Sequence, residues 1–176
     1  MMVYYVRKIS RAKWQEKPLS SDPCIAEREI GSVSADAITN CLKTTSNKLS
    51  LWRVDIESYT IEDIVPLIVG FEKPDTCDVV YIPEELLLET NLELQQSQDD
   101  AKIPIEKLKP THYNIIVKDY SGLGAFSKIV LKSLQNYKRY RAPEIKSKLK
   151  DMIKSHVIEP EMLSSSLCKK LDIMQS

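Results

Sequence analysis

"DVVYI", residues Asp78 to Ile82, is the stretch on which the fold turns. A half-buried strand alternates apolar and polar residues, whereas this one is almost continuously apolar and β-branched. Strands of that kind are covered on both faces. Upstream, "LSLWRVDI" (Leu49–Ile56) alternates Trp52, Val54 and Ile56 with Arg53 and Asp55, and reads as a half-buried strand. "VYYVRKI" (Val3–Ile9) is a third run of β-forming residues.

The segments between these strands carry helical signals. "SADAITNCLKT" has Ser34 as a cap, Asp36 in the first turn, and Ala35, Ile38 and Leu42 on one face. The stretch before it, "PLSSDPCIAEREIGS", reads as an irregular connection with one short helical turn. "YTIEDIVPLIVGF" places Thr60 and Asp63 at capping-box spacing and ends at Gly70, with Pro66 marking a kink or a later start. "PEELLLE" is a brief helix opened by Pro83, and "LELQ" a further strand. Strands alternating with helices of this length imply crossover connections. The expectation is an α+β protein: an N-terminal, partly parallel sheet of three or four strands within residues 1–100, then a helical part within residues 101–176, together one compact unit.

The polar stretch Gln95–Pro104 marks that change of character. "THYNIIVKDY" is ambiguous, because Ile115–Val117 favour a strand while Tyr113, Ile116, Val117 and Tyr120 make a helical stripe. "SGLG" then breaks the chain, and Phe126, Ile129, Val130, Leu134 and Tyr137 repeat at helical spacing. Pro143 opens a helix with Ile145, Leu149, Met152, Ile153 and Val157 on its apolar face; Pro160 opens another carrying Leu163, Leu167 and Leu171.

Composition narrows the class. Hydrophobic residues make up 43% and charged residues 28%, the profile of a folded globular protein. No apolar run approaches the roughly 20 residues of a membrane span, and the first residues lack the pattern of a signal peptide. Cys24, Cys41, Cys77 and Cys168 are scattered without a CxxC pair, so reduced thiols in a cytoplasmic protein are expected and no zinc site. No membrane association, metal or cofactor is expected.

A formal net charge of zero hides strong segregation. Residues 55–106 hold 14 acidic and 2 basic side chains; residues 128–154 hold 9 basic and 2 acidic ones. The basic surplus lies in "QNYKRYRAPEIKSKLKDMIKSH", Gln135–His156. Tyr137, Lys138, Arg139, Tyr140 and Arg141 interleave rings and cations, as a surface that pairs phosphates and stacks bases does. Lys146, Lys150 and Lys154 extend it along one helix face, opposite Ile145, Leu149 and Ile153. The contrary reading is a solvated amphipathic helix, or one docked on the chain's own acidic half.

Other patterns are weaker. Asp75, Asp100 and Lys102 imitate the two carboxylates and lysine of a metal-dependent nuclease, although "SQDDAKIP" reads as a loop and not a strand. "SGLGAFSK" lacks the order of a phosphate-binding loop and reads as a helix break. His112 has no identifiable nucleophile or orienting carboxylate and reads as structural. Trp52 reads as a core or interface anchor. The last two helices allow a helix-turn-helix, with Ser164–Ser166, Lys169 and Lys170 on the second, but Glu159 and Glu161 at its start would repel phosphate.

The acidic middle points to a partner. Glu84, Glu85, Glu89, Glu93, Asp99 and Asp100 suit contact with a basic protein, as in a complex subunit or an antitoxin- or immunity-type accessory component. A non-catalytic interaction module is therefore the leading expectation. Nucleic-acid binding through the basic strip is the alternative, and the nuclease a third.

Overall fold

The computed structural model describes residues 3–14, 35–55, 60–70, 74–103 and 105–173. The irregular connection "PLSSDPCIAEREIGS", Cys24 and the proposed cap Ser34 lie outside them. Six strands form one sheet: β1 (Val3–Ile9), β2 (Lys48–Asp55), β3 (Cys77–Pro83), β4 (Glu93–Gln96), β5 (His112–Ile116) and β6 (Tyr137–Tyr140). Their order is β4-β5-β2-β1-β3-β6, and every neighbouring pair is antiparallel.

The partly parallel sheet expected from the sequence is thus overturned. The strand–helix–strand pattern does describe β2, helix Ile61–Gly70 and β3, and these two strands run in the same direction. They are not neighbours, because β1 lies between them and is antiparallel to both. The expectation of a helical C-terminal part is corrected as well. Residues after the polar stretch supply β5, beside β2, and β6, beside β3.

The helices, numbered in chain order, are α1 (Arg11–Trp14), α2 (Ala35–Cys41), α3 (Ile61–Gly70), α4 (Glu84–Leu88), α5 (Tyr120–Ser133), α6 (Ala142–Lys154) and α7 (Ser165–Leu171). They cover both faces of the sheet, giving two separate apolar clusters. On one face Val6, Trp52, Val54, Val79 and Tyr81 pack with Ile64 and Val65 of α3, Ile145 and Leu149 of α6, and Leu167 and Leu171 of α7. On the other, Tyr5, Leu49, Leu51, Val80, Ile82 and Ile115 pack with Ala37 of α2, Leu87 of α4, and Phe126 and Val130 of α5. Successive residues of β3 feed opposite clusters, which is why "DVVYI" has no polar alternation.

Several local expectations shift. "SGLG" does not break the chain but lies in the first turns of α5, where Asp119 Oδ1 accepts from the Gly122 N–H at 2.8 Å. A Cβ on Gly122 would make only ordinary contacts and one on Gly124 none within 4 Å, so neither glycine is required there. The helical run ends at Ser133 and Tyr137 begins a strand, because Tyr140 is buried with its hydroxyl 2.6 Å from that of Tyr81. Helix α2 buries Ala37 and Cys41 in place of Ala35 and Ile38. Pro160 opens only a short 3-10 turn; α7 starts after Ser164, whose Oγ accepts from the Leu167 N–H at 3.3 Å. Val157, beyond the end of α6, is exposed.

Leu149 has no exposed surface, so Leu149→Ala should cost about 2–5 kcal/mol through lost burial and a residual cavity. Lys154→Ala on the exposed side of α6 should change stability by less than about 0.5 kcal/mol. Urea denaturation of both variants checks the orientation of α6.

Candidate functional site

Much of the basic strip faces the chain's own carboxylates. Lys138 Nζ lies 2.7 Å from Glu62 Oε1 and Lys148 Nζ 2.5 Å from Asp63 Oδ1, tying β6 and α6 to the start of α3. Arg139 stands across the β3–β6 pair from buried Asp78, at 3.7 Å, and Lys150 reaches Asp172 beyond α7 at 3.6 Å. The hydrogen bonds from Lys138 and Lys148 hold the Glu62 and Asp63 carboxyls below their ordinary range. Tyr140 is buried and Tyr137 half-buried, so neither presents a free ring for stacking. The side-chain cations of Arg141, Lys146 and Lys154 have no carboxylate within 4 Å among the described residues, although the Arg141 backbone N–H donates to Glu144 Oε2 at 2.6 Å.

The nuclease trio is only partly assembled. Asp100 and Lys102 line the same cleft. Asp75 precedes β3, whereas Asp100 is bonded to Lys48 of β2 and Asn114 of β5. Two to three strand spacings intervene, about 10–14 Å. Asp100 Oδ2 accepts from Ser97 Oγ at 2.7 Å, Asn114 Nδ2 at 2.7 Å and Lys48 Nζ at 3.0 Å. Those donors, Ser97 first, pull its carboxyl down to about 2. No group of three or more metal-ligating side chains occurs among the described residues. His112 is buried, donates from Nδ1 to the Ser97 carbonyl at 2.6 Å and stacks edge-on against Trp52 at 4.8 Å. It joins the two strands structurally.

The acidic residues divide into two groups. Glu84 accepts from the Tyr5 hydroxyl and pairs with Arg53, Glu93 pairs with Lys118, and Asp100 with Lys48. Glu85, Glu89 and Asp99 are exposed, with no cation within 4 Å among the described residues. Glu89 and Asp99 lie just before and after β4, the last strand of the sheet on that side, whereas Glu85 is on α4, which packs on β3 and β1. Leu88, on α4 between Glu85 and Glu89, is 74% exposed.

A further feature was not apparent in the sequence. The β1–β2 ladder runs only from Val3↔Asp55 to Val6↔Trp52, although β1 stays paired to β3 as far as Ile9 and β2 to β5 back to Lys48. Arg7 reaches into the gap. Its Nε and Nη2 donate to the Cys41 carbonyl at 3.1 and 2.7 Å, and its Nη1 donates to the Ser50 carbonyl at 2.7 Å. Burial lowers the guanidinium pKa to about 10. Clefts of about 530 and 600 Å³ meet there, both lined by Arg7, Ser50, Trp52 and Ile68. An arginine inside the apolar run "VYYVRKI" was the available signal, but its partners come from distant segments.

No family model, curated protein or solved structure matches this chain.

Asp100 should titrate near pH 2, against about 4 for an ordinary aspartate. Since its folded pKa is the lower one, its stabilising contribution is present above about pH 4 and is lost as pH falls towards 2. Carbon-detected NMR of the carboxyl should show this midpoint, and Ser97→Ala or Lys48→Met should move it upwards.

Proposed function

We propose that this protein is a non-catalytic cytoplasmic interaction component that docks a basic segment of a protein partner along the β4 edge. It would serve as a complex subunit or as an antitoxin- or immunity-type cover for a basic enzyme. The observation carrying this reading is the exposed carboxylates of Glu89 and Asp99 just before and after the edge strand β4, with Glu85 on the preceding helix α4, none of them with a cation within 4 Å among the described residues. Glu85, Glu89 and Asp99 would steer and orient lysines or arginines, which favours rapid encounter and selects against acidic partners. The outer backbone groups of β4 offer main-chain hydrogen bonds to an extended segment, and Leu88 an apolar contact. Buried Cys41, Cys77 and Cys168 are free thiols, consistent with a reducing compartment. Among the described residues no helix is long and apolar enough to cross a membrane.

Nucleic-acid binding is the lesser reading, because Lys138, Arg139 and Lys150 already face carboxylates of the same chain. The nuclease reading is weaker still, with Asp75 apart from Asp100 and Lys102.

Tagged protein purified from its native host with nuclease treatment should retain a protein partner. Glu85→Gln/Glu89→Gln/Asp99→Asn should release that partner, identified by mass spectrometry, without lowering the melting temperature. Loss of all co-purifying material on nuclease treatment, or full retention by the triple variant, would sink the proposal.

A further inference from the structure

The opening between β1 and β2 is a gap in an otherwise continuous ladder, and the Arg7 guanidinium bridges it to the Ser50 carbonyl. The Arg7 guanidinium is half-buried, and withdrawing such a charge from water is costly unless it is balanced. Arg7 has five N–H donors, of which three meet carbonyl oxygens. Carbonyl dipoles, including that of Cys41 at the C-terminal end of α2, compensate only part of the charge. No carboxylate lies within 4 Å of the guanidinium among the described residues. Two N–H groups of the fork remain for another acceptor.

Among the described residues, the surroundings of the gap are predominantly cationic. Exposed Lys43 and Lys102 line the cleft beside Arg7, and neither has a carboxylate within 4 Å among the described residues. Exposed Lys8 lines the adjoining part, which has no carboxylate among the described residues of its lining. Two acids lie on the other side, and both matter to the sign. Asp100 is turned into its own bonds with Lys48, Ser97 and Asn114, so its charge is balanced. Asp99 is exposed and opposes an anion. The sum over Arg7, Lys8, Lys43, Lys48 and Lys102 against Asp99 and Asp100 remains positive. Thr45, Ser46 and Ser50 contribute hydroxyls, and Trp52 and Ile68 an apolar wall.

We propose that this cleft binds a small molecule carrying a phosphoryl group, with the phosphate oxygens taken by Arg7, Lys43 and Lys102. Cations and hydroxyls on several sides match a tetrahedral dianion better than a planar carboxylate, which one arginine fork can satisfy alone. The volume suits a small ligand, and the wall formed by Trp52 and Ile68 would meet its non-phosphate part. The cleft shares Asp99 with the proposed docking edge, but Arg7, Lys43 and Lys102 play no part in that edge, so the two readings are tested by different variants.

The test uses inorganic phosphate and pyrophosphate, titrated into the full chain at constant ionic strength against chloride and followed by ¹H–¹⁵N NMR. Saturable shifts are expected at the Arg7 Nε–H and at amides of Lys43 to Ser50. Lys43→Gln/Lys102→Gln, confined to exposed side chains, should weaken the apparent affinity about tenfold or more while leaving the phosphate-free melting temperature unchanged. Arg7→Lys, if it folds, should weaken it further. The proposal is overturned if neither anion gives a saturable response beyond chloride, if the shifts centre on Arg141 to Lys154, or if the double lysine variant binds as well as the wild type.

Discussion

Two-sided burial of β3 is the constraint on which the other elements depend. Every residue from Cys77 to Ile82 is buried, and from Val79 to Ile82 successive side chains enter different apolar clusters. A strand in that position must be central, flanked by strands on both edges and by helices on both faces. β1 and β6 supply the edges; α3, α6 and α7 cover one face, and α4 and α5 the other. Polar substitutions in β3 would therefore disturb both clusters, whereas an edge strand such as β4 tolerates four mostly exposed residues.

The same arrangement disposes of the charge segregation. Connecting β2 to β3 through α3 places Glu62 and Asp63 beside β6 and α6, where Lys138 and Lys148 meet them. Exposed ion pairs of this kind each contribute little to stability. They also lower the field that the basic strip presents to solvent, while Glu85, Glu89 and Asp99 are among the exposed carboxylates with no cation within 4 Å among the described residues. Opposite charges far apart in the chain thus become neighbours, and the surface charge differs from what the linear pattern suggests.

Element type was readable wherever side-chain periodicity was strong. The two-sided burial of β3, the alternation of β2 and the apolar face of α6 were all in the residues themselves. Strand order was not, because alternating strands and helices fit both a parallel sheet and one in which an earlier antiparallel strand sits between the crossover strands. β6 was hidden for a different reason. Its first residue, Tyr137, continues the helical stripe of α5, and pairing with β3 and burial of Tyr140 against Tyr81 make the four residues extended. For the candidate sites, residue types were visible but their distances were not. Nothing local shows that Asp100 would join Lys48 and Asn114 and not Asp75, or that Arg7 would reach carbonyls at Cys41 and Ser50.

The central claim is that the basic strip is turned largely towards its own chain and is not a free polyanion-binding surface. Fluorescence anisotropy of a single-stranded oligonucleotide, titrated with the intact protein between roughly 50 and 200 mM salt, tests it most directly. The account predicts weak binding at the lowest salt, with little change when Arg139, Arg141, Lys146 and Lys150 are replaced by Ser. Tight binding that falls steeply with salt and disappears in that variant would contradict it.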